Sequence, residues 1–152
     1  MSGAVDRHDG MQTNRVRLHS EEPADWVAAY VGLPWIEGEA DCWAFARRVW
    51  RERFGWDIPA IAVPATPRAG LEALRDAPEL AAWDRVDICE EGDAVLMAQG
   101  RRPSHVGVMV APRHVLHAVR GTGAICTRLD RVGEAGFRVL GCYRRRACRP
   151  PA

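Results

Sequence analysis

The chain has 152 residues, 47% of them hydrophobic, with 21 basic and 20 acidic side chains and a formal net charge of +1. That is enough apolar content for one domain with its own core, burying about 70% of the unfolded surface. The charge balance argues against a dedicated nucleic-acid binder, which shows a basic excess or stripe. No apolar run reaches the ~20 residues of a bilayer span, so membrane insertion is not expected. The five cysteines, Cys42, Cys89, Cys126, Cys142 and Cys148, are odd in number and form no Cys-x-x-Cys pair. A disulfide framework and a structural zinc site are therefore not expected, and Cys126 and Cys142 read as small buried residues of strands.

In chain order, residues 1–19 are polar and without sustained periodicity, and read as an N-terminal arm preceding a single domain over 20–152. No signal-peptide pattern opens the chain, so synthesis and folding in a reducing bacterial cytosol are expected. Residues 20–30 read as a short helix carrying Trp26, Val27 and Tyr30, closed by Gly32. A loop follows, then a helix over 42–54 whose apolar residues Phe45, Ala46, Val49, Trp50 and Phe54 recur at helical spacing from Cys42, with Gly55 as its stop. A proline-rich connector over 58–67 leads to another helix through Leu71, Leu74 and Arg75, and a short turn follows near Leu80. From Gly92 the pattern becomes strand-like, over 94–97, 105–110, 115–119, 124–129 and 137–143. Helices first and strands afterwards imply an α+β fold, an antiparallel meander of roughly five strands with the Cys42 helix packed against it. Glu91-Gly92-Asp93 reads as a turn without a catalytic role, and Arg144-Arg145-Arg146 with Arg149 as a solvated, partly disordered tail.

The chemistry centres on three residues. Asp41 is a preferred N-cap type, so Cys42 falls in the first turn of its helix, where unpaired amide donors and the helix dipole lower a thiol pKa from about 8.5 into the range ~3.5–7.5. A thiolate needs a base, and His105 and His117 lie in consecutive predicted strands. With the intervening turn centred near Ala111, they fall directly opposite one another on one face, at a Cβ separation of about 5 Å. One imidazole can then take the Cys42 proton while the other orients it, the logic of a nucleophile, base and orienter. His114, three residues from His117, falls on the other face and reads as a surface residue.

The run Tyr30-Val31-Gly32-Leu33-Pro34-Trp35, then Asp41-Cys42-Trp43, Glu91-Gly92-Asp93-Ala94-Val95, Ser104-His105-Val106-Gly107-Val108 and Leu116-His117-Ala118 resembles the NlpC/P60 family of papain-like cell-wall cysteine peptidases. The resemblance extends over residues 30–143. It implies a papain-like fold, Cys42 as nucleophile, His105 as general base and acid, and His117 as the orienting residue. It also implies a peptidoglycan stem peptide as substrate, cut after a γ-linked D-glutamyl residue and before a diamino acid, with no metal and no organic cofactor. Common members carry Tyr and Ser where this chain has Trp35 and Trp43, and groups around those positions hold the stem peptide. Trp35, Asp41 and Trp43 are therefore the candidate substrate-binding residues. The Asp-Cys-Trp variant resembles the branch found in tailed phages and gene-transfer-agent particles. With no wall-targeting module, a tail hub or baseplate protein is the expected partner and the tail tip the expected location. An N-acetylmuramoyl amidase or acyl transferase on the same scaffold, and a mainly structural tail subunit, are the alternative readings.

Overall fold

The computed structural model describes residues 21–60 and 78–146. The N-terminal arm, the helix expected through Leu71, Leu74 and Arg75, and the chain end with Cys148 and Arg149 lie outside these residues. The helix expected before Gly32 is shorter than its apolar spacing suggests, a single 3-10 turn over Asp25–Ala29 that caps Tyr30 onto the Val27 carbonyl. Helix α1 spans Cys42–Val49 and widens into a π-helical turn over Trp50–Phe54, ended by Gly55 at φ 70°. Its start is fixed by Asp41, whose carboxylate accepts the Ala44 N–H at 2.9 Å and the Gly38 N–H at 3.2 Å. Such caps stabilise a helix by about 1 kcal/mol.

Six antiparallel strands follow: β1 Trp83–Val86, β2 Ala94–Gln99, β3 Arg102–Ala111, β4 His114–Val119, β5 Gly123–Arg128 and β6 Arg138–Arg145. Their order in the sheet is β1-β6-β2-β3-β4-β5. The meander over β2 to β5 is as expected, but β6 returns between β1 and β2, and β1 is an addition to the expected five strands. β1 escapes sequence reading because only Trp83 of its four residues is buried, which leaves no alternation to detect.

Alternation along the sheet separates two apolar layers. Val106, Val108, Val110, Leu116, Ala118 and Ala124 face α1 and its buried Phe45, Ala46, Val49 and Trp50. Val95, Met97, Met109, Val115 and Cys142 face the other way, under Val132 and Phe137. Val132 belongs to a 3-10 turn over Leu129–Ala135. Trp50 is fully buried, its ring 5.1 Å from that of Trp83 and its indole N–H donating to the Gly92 carbonyl at 2.8 Å. Truncating a buried tryptophan of this kind costs about 3–5 kcal/mol.

Glu91-Gly92-Asp93 is a structural clamp. Gly92 adopts φ 94°, and a Cβ there would lie 2.8 Å from the Trp56 ring. Asp93 is buried and accepts a bidentate pair from Arg144 at 2.9 and 2.8 Å, with the Glu90 N–H at 2.7 Å. The arginine run is accordingly no solvated tail. Arg144 holds Asp93, Arg145 holds Glu79 at 2.7 Å, and Arg146 holds Asp84 at 3.1 Å. The run looks tail-like in one dimension because its carboxylate partners lie 51 to 66 positions away.

The expectation of unpaired cysteines is corrected as well. Cys89, in the loop before β2, is joined by a disulfide to Cys142 in β6, with Cα atoms 5.8 Å apart. Counting cysteines misses one bridge among five, because pairing depends on which strands become neighbours. Cys42 and Cys126 are free thiols.

Candidate active site

β3 and β4 are joined through Pro112 and Arg113, and Arg113 takes up φ 61°. A bulge between Met109 and Ala111 sets Val108 opposite Leu116 and Met109 opposite Val115. His105 and His117 are therefore not directly opposed, as a turn centred near Ala111 had implied. They keep the same parity and the same face but are offset diagonally by two residues. Continuing the register places His117 beside Gly107. A Cβ on Gly107 would lie 2.9 Å from the His117 Cβ and would overlap Val115, so the glycine supplies the space that His117 occupies.

The two imidazoles meet in this arrangement. His105 Nε2 and His117 Nδ1 are 2.7 Å apart, so a single proton lies between them. The other nitrogen of His117, Nε2, lies 3.0 Å from Thr127 Oγ1 on β5. The ring of His105 stacks on Phe137 with centroids 4.3 Å apart and planes 21° from parallel, and His117 meets the same phenyl edge-on at 5.9 Å. Both histidines are buried, His117 completely. Burial lowers the pKa of His105 to about 3, assisted by the neighbouring His117, and that of His117 to about 4. Both are thus neutral at physiological pH.

Cys42 opens α1 and is tied to the residue beside His105: its sulfur accepts the backbone N–H of Val106, with the amides of Trp43 and Cys42 also directed at it. Among the described residues no hydrogen bond joins the sulfur to the His105 ring. Nor is the thiol acidified as its helical position implied. Its pKa is raised, first by burial and then by the Asp41 carboxylate, and the three amides offset this only in part. The dipole argument counted the donors at the helix start and omitted the removal of the sulfur from water, which is the larger effect. At rest Cys42 is thus an un-ionised thiol and both imidazoles are neutral.

The three candidate substrate-binding residues separate. Trp43 is buried, packs against Trp50 at 5.7 Å and Trp83 at 6.5 Å, and its indole N–H donates to the Pro59 carbonyl at 3.2 Å. It is therefore part of the core and not of a groove wall. Asp41 has both carboxylate oxygens engaged by backbone amides, so its visible role is to build the loop and helix start. Trp35 is half-buried, with the Arg120 guanidinium over its ring at 5.1 Å, and remains available to a ligand. Gly32 N–H and Leu33 C=O pair with Ala124 at 2.8 Å each, fastening this loop along the edge of β5.

Sequence reading missed Thr127, Gly107 and Phe137. Thr127 shares the parity of Ile125, which pairs with His117, so its face was readable once β5 was placed. Phe137 arrives from the turn before β6 and carries no local signal. Among the described residues, no group of three or more His, Cys, Asp or Glu side chains could hold a metal ion, and no helix is long and apolar enough to cross a membrane.

Residues 29–133 match the profile of the NlpC/P60 family, more than half of the chain. Among solved structures, the chain is similar to the NlpC/p60 domain of the peptidoglycan hydrolase SagA, with 19% identity, a TM-score of 0.48, and coverage of 74% of this chain and 89% of that one. It is also similar to a Staphylococcus aureus subsp. aureus Mu50 protein described as similar to lipoprotein, NLP/P60 family, with 18% identity, a TM-score of 0.49, and coverage of 81% of this chain and 40% of that one. No curated protein matches the sequence.

Proposed function

The chain belongs to the NlpC/P60 family, and from that premise we propose that it is a cysteine peptidase acting on the stem peptides of bacterial peptidoglycan. The observation that carries this reading is a helix-start cysteine whose sulfur is acted on by the Val106 amide, next along β3 to a His105 whose ring is held by His117 at 2.7 Å. Catalytic contacts in a resting site are often long and tighten with substrate bound.

Cys42 passes its proton to His105 Nδ1 as its sulfur attacks the amide carbonyl. Backbone N–H groups at the start of α1 hold the resulting oxyanion. His105, now an imidazolium, protonates the leaving amine and a thioester remains. Water then attacks the thioester carbonyl and gives a proton to His105; the carbon–sulfur bond breaks, the acid product leaves, and the Cys42 sulfur takes that proton back. Our reading of the bond follows the motif resemblance: the amide after a γ-linked D-glutamyl residue and before a diamino acid. The Asp41-Cys42-Trp43 variant supports a place at a phage or phage-like tail tip, docked to a hub or baseplate protein. Mass spectrometry of purified particles tests that placement, and its absence from intact particles would leave a free lysis enzyme.

The enzymatic reading is tested by incubating the purified protein with peptidoglycan and identifying new termini by mass spectrometry. A new amino terminus on the diamino acid is expected. Cys42→Ala and His105→Ala should abolish it, and His117→Ala should reduce it less, because orienting a base costs less than supplying one. Wild-type turnover by Cys42→Ala sinks the thiol mechanism.

A further inference from the structure

We propose that Thr127 is a positioning residue of this site, its hydroxyl oxygen anchoring the proton order of the histidine pair so that His105 Nδ1 is the free base. The inference rests on the reading of Cys42 and His105 as nucleophile and base. Its observations are the two consecutive contacts, His105 Nε2 to His117 Nδ1 at 2.7 Å and His117 Nε2 to Thr127 Oγ1 at 3.0 Å.

Two proton orders are compatible with a neutral pair. In one, His105 Nε2–H donates to His117 Nδ1, His117 Nε2–H donates to Thr127 Oγ1, and His105 Nδ1 is unprotonated. In the other, every proton is shifted: His117 Nδ1–H donates to His105 Nε2, His105 carries its proton on Nδ1, and the threonine hydroxyl donates to His117 Nε2. Only the first order can accept a proton from Cys42. Once His105 has accepted it, both of its nitrogens carry protons. His117 Nδ1 then has to accept, and His117 Nε2 has to carry a proton. That N–H needs an acceptor, because His117 is completely buried. Thr127 Oγ1 is the acceptor the fold provides. The hydroxyl thus acts on the imidazolium state through His117, without touching substrate. Phe137, stacked on His105 at 4.3 Å, offers a π-face and no acceptor.

The strand geometry explains why this residue can do it. His117 pairs directly with Ile125, and Thr127 is the next residue of β5 on the same face. A β-branched hydroxyl at that diagonal reaches the imidazole while its methyl group packs as a valine would.

The test compares Thr127→Val with Thr127→Ser on the full chain. Valine preserves shape and removes the acceptor; serine preserves the acceptor. Thr127→Val should lower kcat by about 10- to 100-fold, the kinetic equivalent of a buried N–H left without an acceptor, with KM little changed. Thr127→Ser should restore most of the rate. Nitrogen NMR of histidine-labelled protein supplies a readout independent of turnover. In the wild type, His117 should show a protonated Nε2 and an unprotonated Nδ1, and His105 an unprotonated Nδ1. In Thr127→Val that pattern should shift or become mixed. Unchanged kcat in a folded Thr127→Val variant overturns the proposal, as does a wild-type His117 protonated on Nδ1. If the wild type turns over no wall substrate, the enzymatic reading fails, and the NMR pattern still decides the proton order.

Discussion

Cys42 and His105 are each shifted toward the uncharged state, the thiol upward by burial and the imidazole down to about 3. On the proposed mechanism the two groups share one proton, and the reactive thiolate with imidazolium is a tautomer of the resting form whose population does not vary with pH. The expected consequence is a kcat/KM profile with no titration near the ordinary imidazole value of 6.5. On the acid side, protonation of His105 removes the base. On the alkaline side, loss of the thiol proton removes the acid that the leaving amine needs. The same shifts affect stability with a definite sign. For both histidines the folded pKa lies below the unfolded one, so their contribution is intact above about pH 6.5. It is lost as pH falls toward 4, by about 1.4 kcal/mol per pH unit for each ring that stays neutral. Activity in the acid range therefore has to be measured beside circular dichroism. An inflection in kcat/KM between pH 6 and 7 in folded protein would contradict the neutral resting pair.

At the level of elements, the β3–β4 hairpin sets the histidine geometry and Gly107 is its tightest point. An alanine there would place its Cβ 2.9 Å from the His117 Cβ and against the Val115 methyl group, both residues being fully buried. Gly107→Ala should cost about 1–3 kcal/mol by overpacking. It should also lengthen the His105 to His117 contact, so that activity falls by more than stability alone explains. Urea unfolding and turnover of the same sample check both, and near-wild-type values in both would show that the hairpin can relax. This hairpin also marks how far the sequence could be read. Parity needs only the 2-residue period of a strand, so the shared face of His105 and His117 was legible. Their register was not, because a one-residue bulge after Met109 moves the turn to Pro112 and Arg113, and nothing in Val108-Met109-Val110-Ala111 signals it. The start of α1 was legible from Asp41. The raised thiol pKa was not, since burial is a property of the packed sheet.

On the scale of the whole molecule, β6 is the strand that closes the fold, and three kinds of interaction hold it between β1 and β2. Backbone pairing joins Cys142 to both Val86 and Val95. Arg144 and Arg145 reach the buried Asp93 and the partly buried Glu79. The Cys89 to Cys142 disulfide then closes a loop with a sequence separation of 53. A loop of that length removes chain entropy from the unfolded state equivalent to about 4 kcal/mol, with native-state strain able only to lower the figure. This is a large share of the 5–15 kcal/mol typical of a domain. The remaining contacts of β6 are unaffected by reduction, and the tryptophan layer on α1 lies on the opposite face from Cys142. Reduction should therefore weaken the fold without abolishing it. With dithiothreitol, or in a Cys89→Ala/Cys142→Ala variant, the urea midpoint should fall while far-ultraviolet circular dichroism and peptidoglycan turnover at low temperature persist. The proposed catalytic and positioning residues Cys42, His105, His117 and Thr127 belong to α1, β3, β4 and β5, none of which carries either sulfur. If the reduced protein keeps its midpoint while thiol titration shows both sulfurs free, the bridge contributes nothing to β6. If turnover disappears with the midpoint still high, β6 acts on the site through Phe137, at whose end the strand begins.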